Sequence, residues 1–278
     1  SDNDLPDMLD HAKKLVDRIR AGVAGGWTRA EHFIHLRCEL PSHDVVAHFD
    51  ALANHPSTRL ASVMDHTPGQ RQFRSLEDYK RFYAKQMGRT DAELQAYLNA
   101  RQAEHDQYSN ANRKAIVARA HELGLALASH DDATLAHVEE AAEDGVAIAE
   151  FPTTLEAASA AHDAGLAILM GAPNVVRGRS HSGNISATDL VAAGLLDILS
   201  SDYVPFALLQ AVFLMPKRVE GLDLPQALAT VTSNPARAAG LTDRGEIALG
   251  KRADLVRVLE QGPLPVVRGV WREGQRVS

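Results

Sequence analysis

The stretch Leu125-Ala126-Leu127-Ala128-Ser129-His130-Asp131-Asp132 decides the fold. A short apolar run ends in a serine, a histidine and two carboxylates. Apolar runs of this length, bounded by polar residues, read as buried strands. An α/β barrel places its chemistry where such strands end, at the C-terminal face. The pattern recurs along the chain. Met64-Asp65-His66 follows Leu60-Ala61-Ser62-Val63, and Ser200-Ser201-Asp202-Tyr203 follows the apolar residues 195–199. Strands that each deliver a ligand-type or acid/base side chain at the same end point to one polar site on one face.

Outward from this stretch the rhythm is regular. Strands are expected at 125–129, 146–151, 166–171 and 195–200, and helices at 133–143, 155–164, 186–193, 206–215 and 224–232. A Gly/Ser-rich loop joins 171 to 184. Upstream, a helix over 8–24 ends at Gly25-Gly26. A strand over 32–40, a helix over 45–53 capped by Ser42 or Asp44, a strand over 60–64 and a turn at Thr67-Pro68-Gly69-Gln70 follow. Strands rich in Val, Ile, Leu and Ala that alternate with helices predict a parallel sheet covered on both faces. The barrel is expected over 1–240. Residues 76–121 form a charged helical insertion of two or three helices, either a cover or contact arm or a solvated hairpin. Short β-like pieces at 245–247, 253–258 and 266–271 form an appendage over 241–278.

The 278 residues are 45% hydrophobic, ample for a packed core. A formal net charge of −7 argues against nucleic acid or an anionic membrane as partner. No apolar stretch approaches the ~20 residues of a membrane span. One cysteine, Cys38, excludes a disulfide framework and fits a reducing compartment, the cytoplasm. The sequence has no Gly-x-Ser-x-Gly, Gly-x-Gly-x-x-Gly or phosphate-loop motif.

Glu39, His66, His130, Glu150 and Asp202 all fall at strand ends, where imidazoles and carboxylates can gather around a divalent ion. Eight histidines on presumed helices and loops, His105 among them, read as surface residues. Two strand-end loops are rich in arginine and amides. One carries Arg71 and Arg74, the other Asn174, Arg177, Arg179, His181 and Asn184. Arginine forks and glycine-exposed backbone amides suit phosphate. In an acidic chain, positive charge concentrated there argues for a phosphorylated small-molecule substrate; a flexible basic loop with surface ion pairs is the alternative.

The blocks Leu36-Arg37-Cys38-Glu39, Met64 through Gln70, Ala128 through Asp132, Ala149-Glu150-Phe151-Pro152-Thr153-Thr154, Met170 through Asn174 and Ser200 through Tyr203 resemble the amidohydrolase superfamily. The closing Asn234-Pro235-Ala236 and Gly250 through Val256 resemble that superfamily's tail. Within it, the blocks are similar to the branch that cleaves a ribose 5-triphosphate in phosphonate breakdown. The resemblance implies a (β/α)8 TIM-type barrel, lacking its first strands in this stretch of chain, with a small β-sandwich appendage. It implies one or two divalent ions, zinc first, with magnesium or manganese as alternatives. Glu39 would be a bridging or primary ligand, His130 a ligand and Asp202 the acid/base. Glu150 stands where many members carry a second histidine. The activity implied is release of pyrophosphate, with the 5-phosphate left behind. Asp202 would serve as general base, His66 as general acid or phosphate-orienting group, and the loop arginines with His181 as phosphoryl clamps. Rival readings are an amide or cyclic-amide hydrolase of the same superfamily and a metal-free scaffold. Self-association into a homo-oligomer stays open.

Overall fold

A computed structural model describes residues 8–71, 90–180, 184–261 and 264–278. Six strands form one parallel sheet in sequence order: β1 (Ile34–Glu39), β2 (Thr58–Met64), β3 (Ala126–His130), β4 (Ile148–Glu150), β5 (Ala167–Gly171) and β6 (Ile198–Ser200). Each strand pairs with the next in sequence, as successive staves of a (β/α) barrel do.

Strand alternation assigns the faces. Ala61, Val63, Leu127, Ala149, Ile168, Met170 and Leu199 face the helices and join the main core. Ala128, Ile148, Leu169 and Ile198 form a second, inner cluster. The inner parity therefore carries His35, Arg37 and Glu39 on β1, His130 on β3, Glu150 on β4, Gly171 on β5 and Ser200 on β6. The outer layer is α1 (Met8–Ala24), α2 (Val45–Ala53), α3 (Asp91–Glu122), α4 (Leu135–Glu143) and α5 (Leu155–Asp163), followed by α6 (Ala172–Arg177), α7 (Ala187–Ala192), α8 (Ala207–Arg218), α9 (Leu224–Ala229) and α10 (Ser233–Ala238). Fully buried alanines at 141, 157, 158 and 161 let α4 and α5 lie close to each other and to the sheet.

Three sequence expectations change. The described part of the 76–121 arm is not two or three helices. It is one helix of 32 residues, started by a capping box between Thr90 and Glu93. Its C-terminal half buries Ile116, Val117 and Ala120 against the sheet, so this half is the β2-to-β3 crossover and not an insertion. Residues 76–89 of the arm lie outside the described residues. The loop after β5 opens with a helical turn and a half, α6, started by Pro173 and closed by Gly178 in the left-handed region. Gly245-Glu246-Ile247 is not a strand: Gly245 instead comes so close to Ser233 that a Cβ would lie 2.9 Å from its Cα.

The appendage is one antiparallel sheet of β7 (Leu255–Gln261), β8 (Leu264–Arg272) and β9 (Gln275–Arg276). Glu273 and Gly274 both have positive φ, the two-residue turn that matches strand twist. It is fastened to the barrel by Glu31, which accepts hydrogen bonds from Arg244 and Arg252 at 2.7 Å each, and by Lys217 to Glu260 at 2.8 Å.

Candidate metal centre and barrel mouth

The ends of β1 to β4 converge on two carboxylate–imidazole pairs. His66, just past β2, places Nδ1 2.6 Å from Glu39 Oε2, and its backbone N–H donates to Glu39 Oε1 at 2.8 Å. His130, the last residue of β3, places Nδ1 3.0 Å from Glu150 Oε2 across the β3–β4 ladder. Ser62 Oγ donates to the same Glu150 oxygen at 2.7 Å, and His35 Nε2 bonds Ser62. Each histidine thus spends Nδ1 on a glutamate and turns Nε2 elsewhere. That direction is shared: Asp131 Oδ2 lies 3.8 Å from His66 Nε2 and 3.7 Å from His130 Nε2.

Asp131 is buried, and among the described residues its Oδ2 has no hydrogen-bond partner. Buried polar atoms are rarely left so. One donor atom from each of His66, His130 and Asp131 falls within 4.8 Å of the others. Two imidazole nitrogens and an orphaned carboxylate oxygen fit a divalent cation, zinc among them. The glutamates behind the imidazoles fix their tautomer and raise their basicity, as outer-shell carboxylates do.

The electrostatics agree. Burial pushes the Asp131 carboxyl above its ordinary range, because desolvation disfavours its charged form. The hydrogen bond to Glu39 leads in raising His66. Burial would raise Glu150, but the hydrogen bond and charge of His130 outweigh it and hold it low. Burial leads in lowering His35.

Three residues just past the strands have left-handed backbones: Asp131 and Phe151 at φ 55° and Asp202 at φ 49°. Such non-glycine strain gathers at functional sites. Asp202 follows β6 and reaches back over Gly171, where a Cβ would come 3.1 Å from Asp202 Oδ2. Only glycine leaves that carboxylate its present position.

The expected phosphate residues meet different fates. Arg71 is buried and committed to Asp132 and, at 2.9 Å, to Glu140. Asn174 Oδ1 accepts the N–H of Ala187 at 3.0 Å and so organises the loop. Arg177 donates to the Tyr203 hydroxyl and stacks 5.8 Å from that ring, bridging the β5 and β6 loops. Arg179 is exposed, and Asn184 is half-buried two residues before Ser186, the N-cap of α7. Arg74 and His181 lie outside the described residues. His105 is not a free surface residue: its Nδ1 lies 2.6 Å from Asp65 Oδ2, which also accepts from Ser109 at 2.9 Å. Sequence reading overlooked Asp131 as a ligand candidate, although it stands beside His130; the left-handed backbone just past β3, which brings its carboxylate toward the histidines, is not visible in residue spacing.

A sheet of parallel strands with imidazole and carboxylate donors gathered at their C-terminal ends defines a metal-centred α/β hydrolase scaffold. The chain belongs to the amidohydrolase family, which it matches over residues 28–278. It is 47% identical over 272 residues to the alpha-D-ribose 1-methylphosphonate 5-triphosphate diphosphatase of Escherichia coli, covering 98% of this chain and 72% of that protein. A shorter match, 40% over 77 residues, covers 24% of this chain and 19% of the imidazolonepropionase of Deinococcus deserti. Among solved structures, the L-hydantoinase (dihydropyrimidinase) of Arthrobacter aurescens is 14% identical with a TM-score of 0.42, covering 99% of this chain and 68% of that one. The chain spans 50% of another solved protein, which is uncharacterized, at 21% identity and a TM-score of 0.47 over 62% of its own length. Among the described residues no helix is long and apolar enough to cross a membrane.

Proposed function

We propose that the chain hydrolyses alpha-D-ribose 1-methylphosphonate 5-triphosphate at a phosphoric anhydride, releasing pyrophosphate and leaving the 5-phosphate. The observation that carries this reading is 47% identity sustained over 98% of the chain. The site chemistry supports it. His66 Nε2, His130 Nε2 and Asp131 Oδ2 would hold a divalent ion, zinc by preference. A bound ion of this kind supplies a Lewis acid and lowers the pKa of water. Glu39 and Glu150 then act as positioning residues, each holding one imidazole by Nδ1. Asp202 Oδ2, kept over Gly171, is the proton acceptor for the attacking water. Arg177 and Arg179 at the mouth meet the phosphoryl oxygens, and a cytoplasmic setting accords with the lone buried thiol of Cys38.

The test is release of pyrophosphate from the ribose 5-triphosphate by the metal-loaded chain. Asp202→Asn is expected to cut turnover by about a hundredfold or more, the usual worth of a general base, with KM little changed. Near-wild-type turnover would remove Asp202 from this role. Hydrolysis of a cyclic amide in place of the triphosphate would overturn the substrate assignment itself.

A further inference from the structure

β1 sets three polar side chains in a row on the inner face: His35, Arg37 and Glu39. The neighbours take up two of them. His35 is tied to Ser62, and both oxygens of Glu39 are occupied by His66. Arg37, between them, is different. Its side chain is exposed, and among the described residues its guanidinium has no carboxylate and no hydrogen-bond partner. Glu39, two residues along the same face, would be its natural counter-ion, but His66 has claimed it.

Two other arginines around these strand ends are committed, Arg71 to Asp132 and Glu140 and Arg113 to Glu140 and Asp144, while the exposed Arg179 stands in the loop after β5. Arg37 is thus a solvent-accessible guanidinium on the inner face beside the His66–His130–Asp131 cluster. Its charge reaches these groups only as a minor lowering influence: burial leads in lowering His35, the hydrogen bond to Glu39 leads in raising His66, and burial leads in raising Asp131. A chain with a net charge of −7 needs local positive charge to admit a polyanion. A guanidinium fork matches phosphoryl oxygens two at a time.

We propose that Arg37 is a specificity-determining residue of the barrel interior that grips the polyphosphate chain of the substrate beside the metal-ligand cluster. This rests on the triphosphate reading given above. Sequence reading placed the phosphate clamps in the loops after β2 and β5; the strand itself offers a more direct one.

The test is calorimetric titration of the chelator-treated, metal-free chain with inorganic tripolyphosphate, compared across Arg37→Ala, Arg37→Gln and Arg37→Lys. Arg59→Ala, at the opposite end of β2, controls for loss of one positive charge. Arg37→Ala and Arg37→Gln are expected to bind about tenfold or more weakly, the worth of a charge-assisted hydrogen bond. Lys should keep part of the affinity, and Arg59→Ala should match wild type. Should Arg37→Ala not fold, Arg37→Gln carries the comparison. No binding by wild type, binding by the Gln variant within about twofold of wild type, or an equal loss in Arg59→Ala overturns the proposal. Pyrophosphate release by the metal-loaded chain separates the two readings. Arg37-dependent binding without release sinks the assigned activity and leaves the anion site standing. Release with KM and kcat unchanged in Arg37→Gln sinks the anion site and leaves the activity standing.

Discussion

Glu39 and Glu150 perform one task on two histidines: each holds an Nδ1 and leaves Nε2 turned toward Asp131 Oδ2. Their loss should therefore loosen metal binding without abolishing it. Glu150→Gln is expected to weaken metal affinity by about tenfold to a hundredfold, read by competition with a chromophoric chelator. Asp131 should behave differently, as a direct ligand. Asp131→Asn should lose stoichiometric metal in elemental analysis. It should also raise the melting temperature of the metal-free chain, by about 2 °C or more, because a buried carboxylate with an unsatisfied oxygen is removed. A fall in that temperature would mean that Asp131 is a structural ion-pair partner. Asparagine suits this test, since it tolerates the left-handed backbone at φ 55° where alanine adds strain. At this scale His66 and His130, which the structure brings together, stood out in the sequence as strand-end histidines against apolar runs. The sequence did not show that two glutamates at equally telling positions would be spent on histidines, since pairing across strands is a property of register.

Elements were legible where one period dominated. The helices over residues 8–24 and 45–53 and the spacing of strands and helices from residue 124 onward follow directly from apolar recurrence. Helix α3 was hard to bound from the sequence because its first half is charged and carries only a sparse apolar pattern, while its second half is ordinary barrel helix. The two halves should respond unequally to mutation. Ile116→Ala, at a fully buried position, is expected to cost about 2–4 kcal/mol in chemical denaturation. Gln102→Ala, whose side chain only meets Asp106 one turn on, should stay within about 0.5 kcal/mol. Equal costs would mean that the Gln102 position is packed as tightly as the core. At the end of β5, Gly171→Ala should leave stability nearly unchanged but displace Asp202. Turnover is expected to drop about tenfold or more, with metal content retained.

The whole molecule is a sheet of locally connected β–α units with a small antiparallel sheet fastened to it by Glu31, Arg244 and Arg252. The hydrogen bond from Arg244 leads in holding Glu31 below the ordinary carboxyl range. A carboxyl depressed in the folded state stabilises it above the unfolded value, near 4.5, and the contribution fades as pH falls through the folded value. Glu31→Gln should therefore lower stability at neutral pH by about 1 kcal/mol or less, discounted for the exposure of the pair. The gap to wild type should close in acid. A gap that persists in acid would assign the effect to packing. The same clasp also orders events in time. It joins residues 213 and 221 positions apart in the chain, whereas each strand of the large sheet pairs with its immediate successor. Contacts so distant in sequence close only after local units have formed. The small sheet should dock last in refolding, and Glu31→Gln should hasten unfolding while leaving the folding rate alone.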